Sequence, residues 1–149
     1  MPEKKTLAEA RKAKREGKSP STQAGAFVHE EIEHIREGKH GARSAKQAIA
    51  IGLSKARRAG VKLPAPPKSA SDRTRQGAKR DSARAGKATR PSPARSRAAK
   101  EALADEPRVA ASTLALSRHA RAAAKRRPAK ARKAAAKKAA VTRARRDDP

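Results

Sequence analysis

The chain of 149 residues has no cysteine, tryptophan or tyrosine, one phenylalanine and one methionine. Without thiols there is no disulfide framework, no thiolate nucleophile and no zinc knuckle, which fits a reducing compartment. Without aromatic platforms, the modules that stack bases of single-stranded nucleic acid are disfavoured. Large apolar side chains are too few for a core running the whole length, because ordering costs roughly 1–2 kcal/mol per residue. No uninterrupted apolar run exceeds Ala48-Ile49-Ala50-Ile51, far below the roughly 20 residues that span a bilayer. Residues 1–18 are charged throughout and do not read as a secretory signal. A cytoplasmic protein is expected.

Acidic residues are also scarce. Fourteen Asp and Glu face forty Lys and Arg, for a net charge of +26 and an isoelectric point near 11.7. Such a charge predicts polyanionic partners, and nucleic acid is the commonest inside a cell. Solubility alone needs a net charge of only about 2–8.

The large apolar residues that do occur in the first half gather between 19 and 60. Ser19-Pro20 predicts an N-cap with proline in the first turn, and Gly38 predicts the stop of that helix. Val28, Ile32 and Ile35 recur at helical spacing with Phe27 beside them. Ser44-Ala45-Lys46-Gln47 predicts a capping box, followed by a stripe through Ala48, Ile49, Gly52, Leu53 and Ala56 to a stop at Gly60. Val61 is placed for the contact that accompanies a glycine C-cap. Gly52, on the apolar face, predicts a close approach of the partner helix.

The expected fold is all-α: a two-helix hairpin over about 19–60, flanked by disordered or marginally helical basic arms. Its expected core is Phe27, Val28, Ile32, Ile35, Ile49 and Leu53. The hairpin domain covers 19–63. Before it, 1–18 is a basic arm, with a capping box at Thr6-Leu7-Ala8-Glu9 opening a frayed helix. After Leu63-Pro64-Ala65-Pro66-Pro67, residues 64–92 read as a disordered Pro/Ser/Arg-rich linker and 93–149 as an Ala/Lys/Arg-rich tail. Residues 1–63 carry a net +8 and residues 64–149 a net +18, so charge rises where apolar periodicity fades. Within the tail, helices are expected from Pro93 to Ala104, from Arg108 to Arg127 and over 129–146.

Catalytic, cofactor and metal chemistry is not expected. His29 and His34 lie at i, i+5, about 140° apart around a helix, which precludes the i, i+4 zinc pair of metalloproteases. Glu30 and His34 share a face, but two donors do not complete a site. Glu30, Glu31, Glu33 and Glu37 read as a solvated face, pairing loosely with Lys46, Lys55, Arg57 and Arg58. No phosphate-loop or dinucleotide motif is present.

The remaining vocabulary is phosphate binding. The expected nucleic-acid contacts are Arg90, Arg95, Arg97, Lys125, Arg126, Arg127, Lys130, Arg132, Lys133, Lys137, Lys138, Arg143, Arg145 and Arg146. Duplex DNA is favoured over RNA, and small-molecule substrates and membranes are not expected as partners. Asp147 and Asp148 close the chain.

The run Ala129-Lys130-Ala131-Arg132-Lys133-Ala134-Ala135-Ala136-Lys137-Lys138-Ala139-Ala140 resembles the tails of linker histones and the alanine/lysine-rich histone-like proteins of bacteria. The resemblance implies a nucleoid-associated DNA-binding protein, although the winged-helix region of linker histones has no counterpart here. Gly38-Lys39-His40-Gly41 with Lys46-Gln47-Ala48-Ile49-Ala50-Ile51-Gly52-Leu53-Ser54-Lys55-Ala56-Arg57 resembles a small uncharacterised bacterial domain family, which implies a folded unit without implying an activity. The expected function is non-enzymatic, largely sequence-independent DNA binding, with the hairpin as a docking or homodimerising unit. The rival expectations are an RNA-binding or ribosome-associated protein and a protein-interaction adaptor.

Overall fold

The structure is a computed structural model that describes residues 2–87 and 92–147. The described residues contain seven α-helices and one 3₁₀ turn, with no strand. The helices are α1 (Lys4–Arg15), α2 (Pro20–Arg36), α3 (Ala45–Arg58), α4 (Asp72–Ala83), α5 (Pro93–Ala104), α6 (Thr113–Lys125) and α7 (Ala129–Asp147), with the 3₁₀ turn at Arg108–Ala111. The all-α class is therefore as expected, and the two-helix hairpin with disordered arms is not. The chain divides into two compact units, Met1–Ser112 and Thr113–Pro149.

In the first unit, α2 and α3 form the expected pair. Ser19 Oγ accepts from the Thr22 amide at 3.3 Å and Ser44 Oγ from the Gln47 amide at 3.2 Å, so both N-caps are occupied. Gln47 reaches back one residue further than a capping box requires, accepting from the Arg43 amide at 2.8 Å. Gly38 and Gly60 have φ of 77° and 94° and close α2 and α3 with Schellman motifs. The Lys39 amide bonds the His34 carbonyl, and the Val61 amide bonds the Ala56 carbonyl. Val61 then turns into the core.

The pair is not alone, because its apolar stripes are wider than two helices can cover. Phe27 is fully buried among Ala10, Ala24, Ala56 and Val61, with Leu7, Leu53 and Leu63 around them. Leu7 and Ala10 belong to α1, so the expected frayed arm is a packed helix. It starts three residues earlier than its capping box implied: Glu3 occupies the cap position, and Thr6 lies buried inside the first turn. At the other end, Ile35 is buried with Ala42, Ala48, Ala110 and Ala111. The last two lie in the 3₁₀ turn, beyond the expected boundary at residue 63. Arg36 Nε donates to the Ala111 carbonyl at 3.1 Å and fastens this turn to α2.

Of the expected core, Phe27 and Ile35 are fully buried, while Val28, Ile32, Ile49 and Leu53 are half-buried. Alanines fill the centre instead, because close helix packing leaves room only for small side chains. Gly52 marks the closest approach: a Cβ there would stand 2.7 Å from the Val28 Cα.

The stretch expected to be a disordered linker contains α4. Its Asp81 accepts from Ser54 Oγ at 2.6 Å and faces Arg58 Nε at 3.8 Å, which docks α4 on α3. Polar contacts with only Ala78 buried do this, so no apolar periodicity announced it. Ser112, the last residue of the first unit, stands between the 3₁₀ turn and the start of α6, dividing the single helix expected over 108–127. Among the described residues, no helix is long and apolar enough to cross a membrane.

Candidate functional site

Two features stand out chemically, one inside the first unit and one along the second. The inner one begins with Glu30 and Glu31 on α2. The expected solvated face is not what the structure places there: Glu30 is 6% exposed and Glu31 1%. Burying two carboxylates is costly unless each is compensated. Lys55 of α3 supplies the compensation, with Nζ 2.6 Å from Glu31 Oε2 and 3.5 Å from Glu30 Oε1. The contact with Oε2 is by charge rather than an in-line hydrogen bond. Of the four cations expected to meet α2, Lys55 makes these two contacts, while Arg58 pairs with Asp81 and Arg57 donates to the Pro64 carbonyl.

Glu30 has further partners in α1, accepting from the Glu3 amide at 3.2 Å and from the Thr6 hydroxyl. Burial opposes its charge, but the Thr6 hydroxyl, the Glu3 amide and the nearby cations outweigh burial and hold its carboxyl below the usual value.

Around this pair stand two histidines. The Gly38 stop turns the chain back along α2, and this brings His40 beside His34 and Glu31. His40 Nδ1 donates to the Gly41 carbonyl at 3.0 Å, and its Nε2 lies 3.3 Å from Glu31 Oε1. His34 Nε2 donates to Glu3 Oε1 at 3.0 Å, a bond that holds the exposed Glu3 carboxyl below its usual value. The two rings meet edge to face, with centroids 6.3 Å apart. One donor atom from each of Glu31, His34 and His40 lies within 4.8 Å of the other two.

The loop carrying His40 is itself clamped. The Gly41 amide donates to the Leu103 carbonyl at 2.7 Å and the Ala42 amide to the Pro107 carbonyl at 3.0 Å. A Cβ on Gly41 would land on the Glu106 carbonyl, so glycine is required by space. Beside His34 opens a cleft whose lining includes Glu3, Glu9, Glu30, Glu33 and Glu37 against Lys5 and Lys39, a net acidic patch in a strongly basic chain.

The outer feature is the run of exposed cations on α6 and α7, and α5 of the first unit carries exposed cations of its own. Arg95, Arg97, Lys125, Arg126, Arg127, Lys130, Arg132, Lys133, Lys137, Lys138 and Arg143 are all exposed. None of them makes an ion pair among the described residues. The contrast is with the stretch from α1 to α3, where Lys12, Lys18, Arg36, Lys39 and Lys55 all face carboxylates. Arg90 and the side chains of Arg145 and Arg146 lie outside the described residues. Lys130, Lys133 and Lys137 share one face of α7, at i, i+3, i+7. Arg118, Arg121 and Lys125 repeat that spacing on α6, and the first two, both exposed, were missed as candidate contacts.

In the inner cluster, the sequence signal was Glu31-Ile32-Glu33-His34, a carboxylate and an imidazole one turn apart on one helix face. The test of His29 against His34 passed it by.

Residues 24–69 match the model of a family of unknown function (DUF6496), a span holding Glu31, His34, His40, Gly52 and Lys55. No curated protein and no solved structure matches the chain.

Proposed function

We propose that the protein is a non-enzymatic, largely sequence-independent DNA-binding protein of the histone-like kind, associated with the nucleoid, whose basic tail holds duplex phosphates. The observation that carries this reading is α7. From Ala129 to Arg143 it has Lys130, Arg132, Lys133, Lys137, Lys138 and Arg143, all exposed, and no acidic residue. A helix with cations around its circumference and alanine between them has no apolar face to bury. It suits a partner that is itself a dense line of negative charge. Among the described residues these cations have no carboxylate partner, so no described acidic side chain competes with phosphate for them.

The folded unit of residues 1–112 would then act as a docking or dimerising element that the tail localises. The test is binding of the full-length protein to a random 30-bp duplex across a salt series. It is set beside a variant with Lys130, Lys133, Lys137 and Lys138 changed to Gln. The reading expects the variant to bind more weakly, with a log–log salt slope shallower by about 3–4. Equal binding and equal slope in the variant would reject it. A clear preference for structured RNA over the duplex would move the partner to RNA.

A further inference from the structure

We propose that Glu31, His34 and His40 form a binding site for one divalent transition-metal cation of the zinc type. The argument starts from charge. The cluster holds Glu3, Glu30 and Glu31 against Lys55 and a Lys39 that it shares with Glu37 at 2.9 Å, so the carboxylates outnumber the ammonium groups by at least one. With neutral imidazoles it is at least one cation short, although the chain around it carries +26.

The tautomer sharpens the argument. A carbonyl oxygen only accepts, so the bond to Gly41 fixes the His40 proton on Nδ1. In the neutral ring, Nε2 then presents its lone pair to the Glu31 Oε1 lone pairs 3.3 Å away. Two facing lone pairs repel, and a cation between them turns the repulsion into coordination.

The outer partners are those that orient ligating imidazoles. His40 has a backbone carbonyl on its other nitrogen and His34 has the Glu3 carboxylate. Glu31 is anchored through Oε2 by Lys55, which leaves Oε1 for the ion. Two imidazoles and a carboxylate suit zinc and its neighbours, and three protein donors leave a fourth position open. Bonds of about 2.0–2.1 Å place any two donors within about 4.2 Å of each other. The three donors lie within 4.8 Å of one another, so uptake asks for only a small closing movement. The acidic cleft reaches the three donor residues only at His34.

The ion would tie the clamped His40 loop to α2, and with it the Leu103–Ala111 segment that closes the core. Binding should therefore stabilise the folded chain by mass action.

The test uses the full-length protein, stripped with chelator, with Co²⁺ and Zn²⁺ as probes. The expected result is a 1:1 Co²⁺ complex with the visible absorption of a four-coordinate ion, displaced by Zn²⁺, and a thermal midpoint raised by Zn²⁺. H34Q and H40Q, half-buried positions whose folding is checked by circular dichroism, should each weaken binding at least about tenfold. H29Q and H119Q should leave it unchanged. The inference is overturned if stripped protein takes up neither ion. It is equally overturned if binding follows His29 or His119 instead. A His40 found as an imidazolium at neutral pH, with no metal uptake, would assign the missing cation to a proton and also overturn it.

Discussion

Lys55 Nζ sits 2.6 Å from Glu31 Oε2 while also reaching Glu30, so a single ammonium from α3 answers two buried carboxylates on α2. The relationship joins the two central helices through charge, in a protein whose apolar inventory is mostly alanine. Breaking a buried pair by removing one partner is far more damaging than losing a surface pair. Lys55→Met should destabilise the protein by about 3 kcal/mol, read from the urea midpoint. Lys46→Met, exposed on the same helix, should change it by no more than about 0.5 kcal/mol. Similar midpoints for the two variants would show that Lys55 is not the compensating charge.

Glycines on helices make opposite predictions at different places. At Gly52 a Cβ would meet the Val28 backbone at 2.7 Å, so Gly52→Ala should cost about 1–3 kcal/mol despite the better helix propensity of alanine. At Gly25 and Gly77 nothing lies within 4 Å of such a Cβ. Alanine at either should stabilise by up to about 1 kcal/mol. Thermal melts of the three variants give the signs directly.

The starts and stops of α2 and α3 were legible because they are local: Ser19, Gly38, Ser44 and Gly60 each act on residues within one turn. The role of Gly52 was legible from its place on the stripe. The burial of Glu30 and Glu31 was not, since it depends on Lys55 about 25 residues away and on an α1 whose lone large apolar residue is Leu7. The Thr6 pattern misled for the same reason, its hydroxyl being committed to Glu30 rather than to a helix cap. Likewise, α4 docks through Asp81 on Ser54 and Arg58, and polar contacts at one residue leave no periodic trace.

Removal of the Thr6 hydroxyl has a pH signature. The folded-state value of Glu30 is depressed, so its ionised form contributes stability above the unfolded value of about 4.3. That stability disappears as pH falls through the depressed folded value. Thr6→Val takes away one of the groups holding it down and should cost about 1.5 kcal/mol at pH 7. The difference from wild type should shrink in acid, as urea titrations at pH 7 and pH 3 would show. A difference that grows in acid would place the Thr6 hydroxyl elsewhere.

The Gly41 clamp can be read by hydrogen exchange. Gly41→Ala should displace the Glu106 carbonyl and release the Ala42 amide from Pro107, lowering protection at Ala42 while the centre of α3 stays protected. Unchanged protection at Ala42 would show that the loop tolerates a side chain.

The central claim, that the unpaired tail cations hold the duplex, is tested most directly by cutting the chain after Ser112, where the compact first unit ends. A cut at residue 63 would remove Ala110 and Ala111 from the core. Full-length protein and residues 1–112 are titrated with a random 30-bp duplex across a salt series. The account predicts a log–log slope of about −5 or steeper for the full chain, from Lys130, Arg132, Lys133, Lys137, Lys138 and Arg143 of α7 alone, and little binding by 1–112. Equal affinity and slope for the two would contradict it, and would move the nucleic-acid contact into the folded unit.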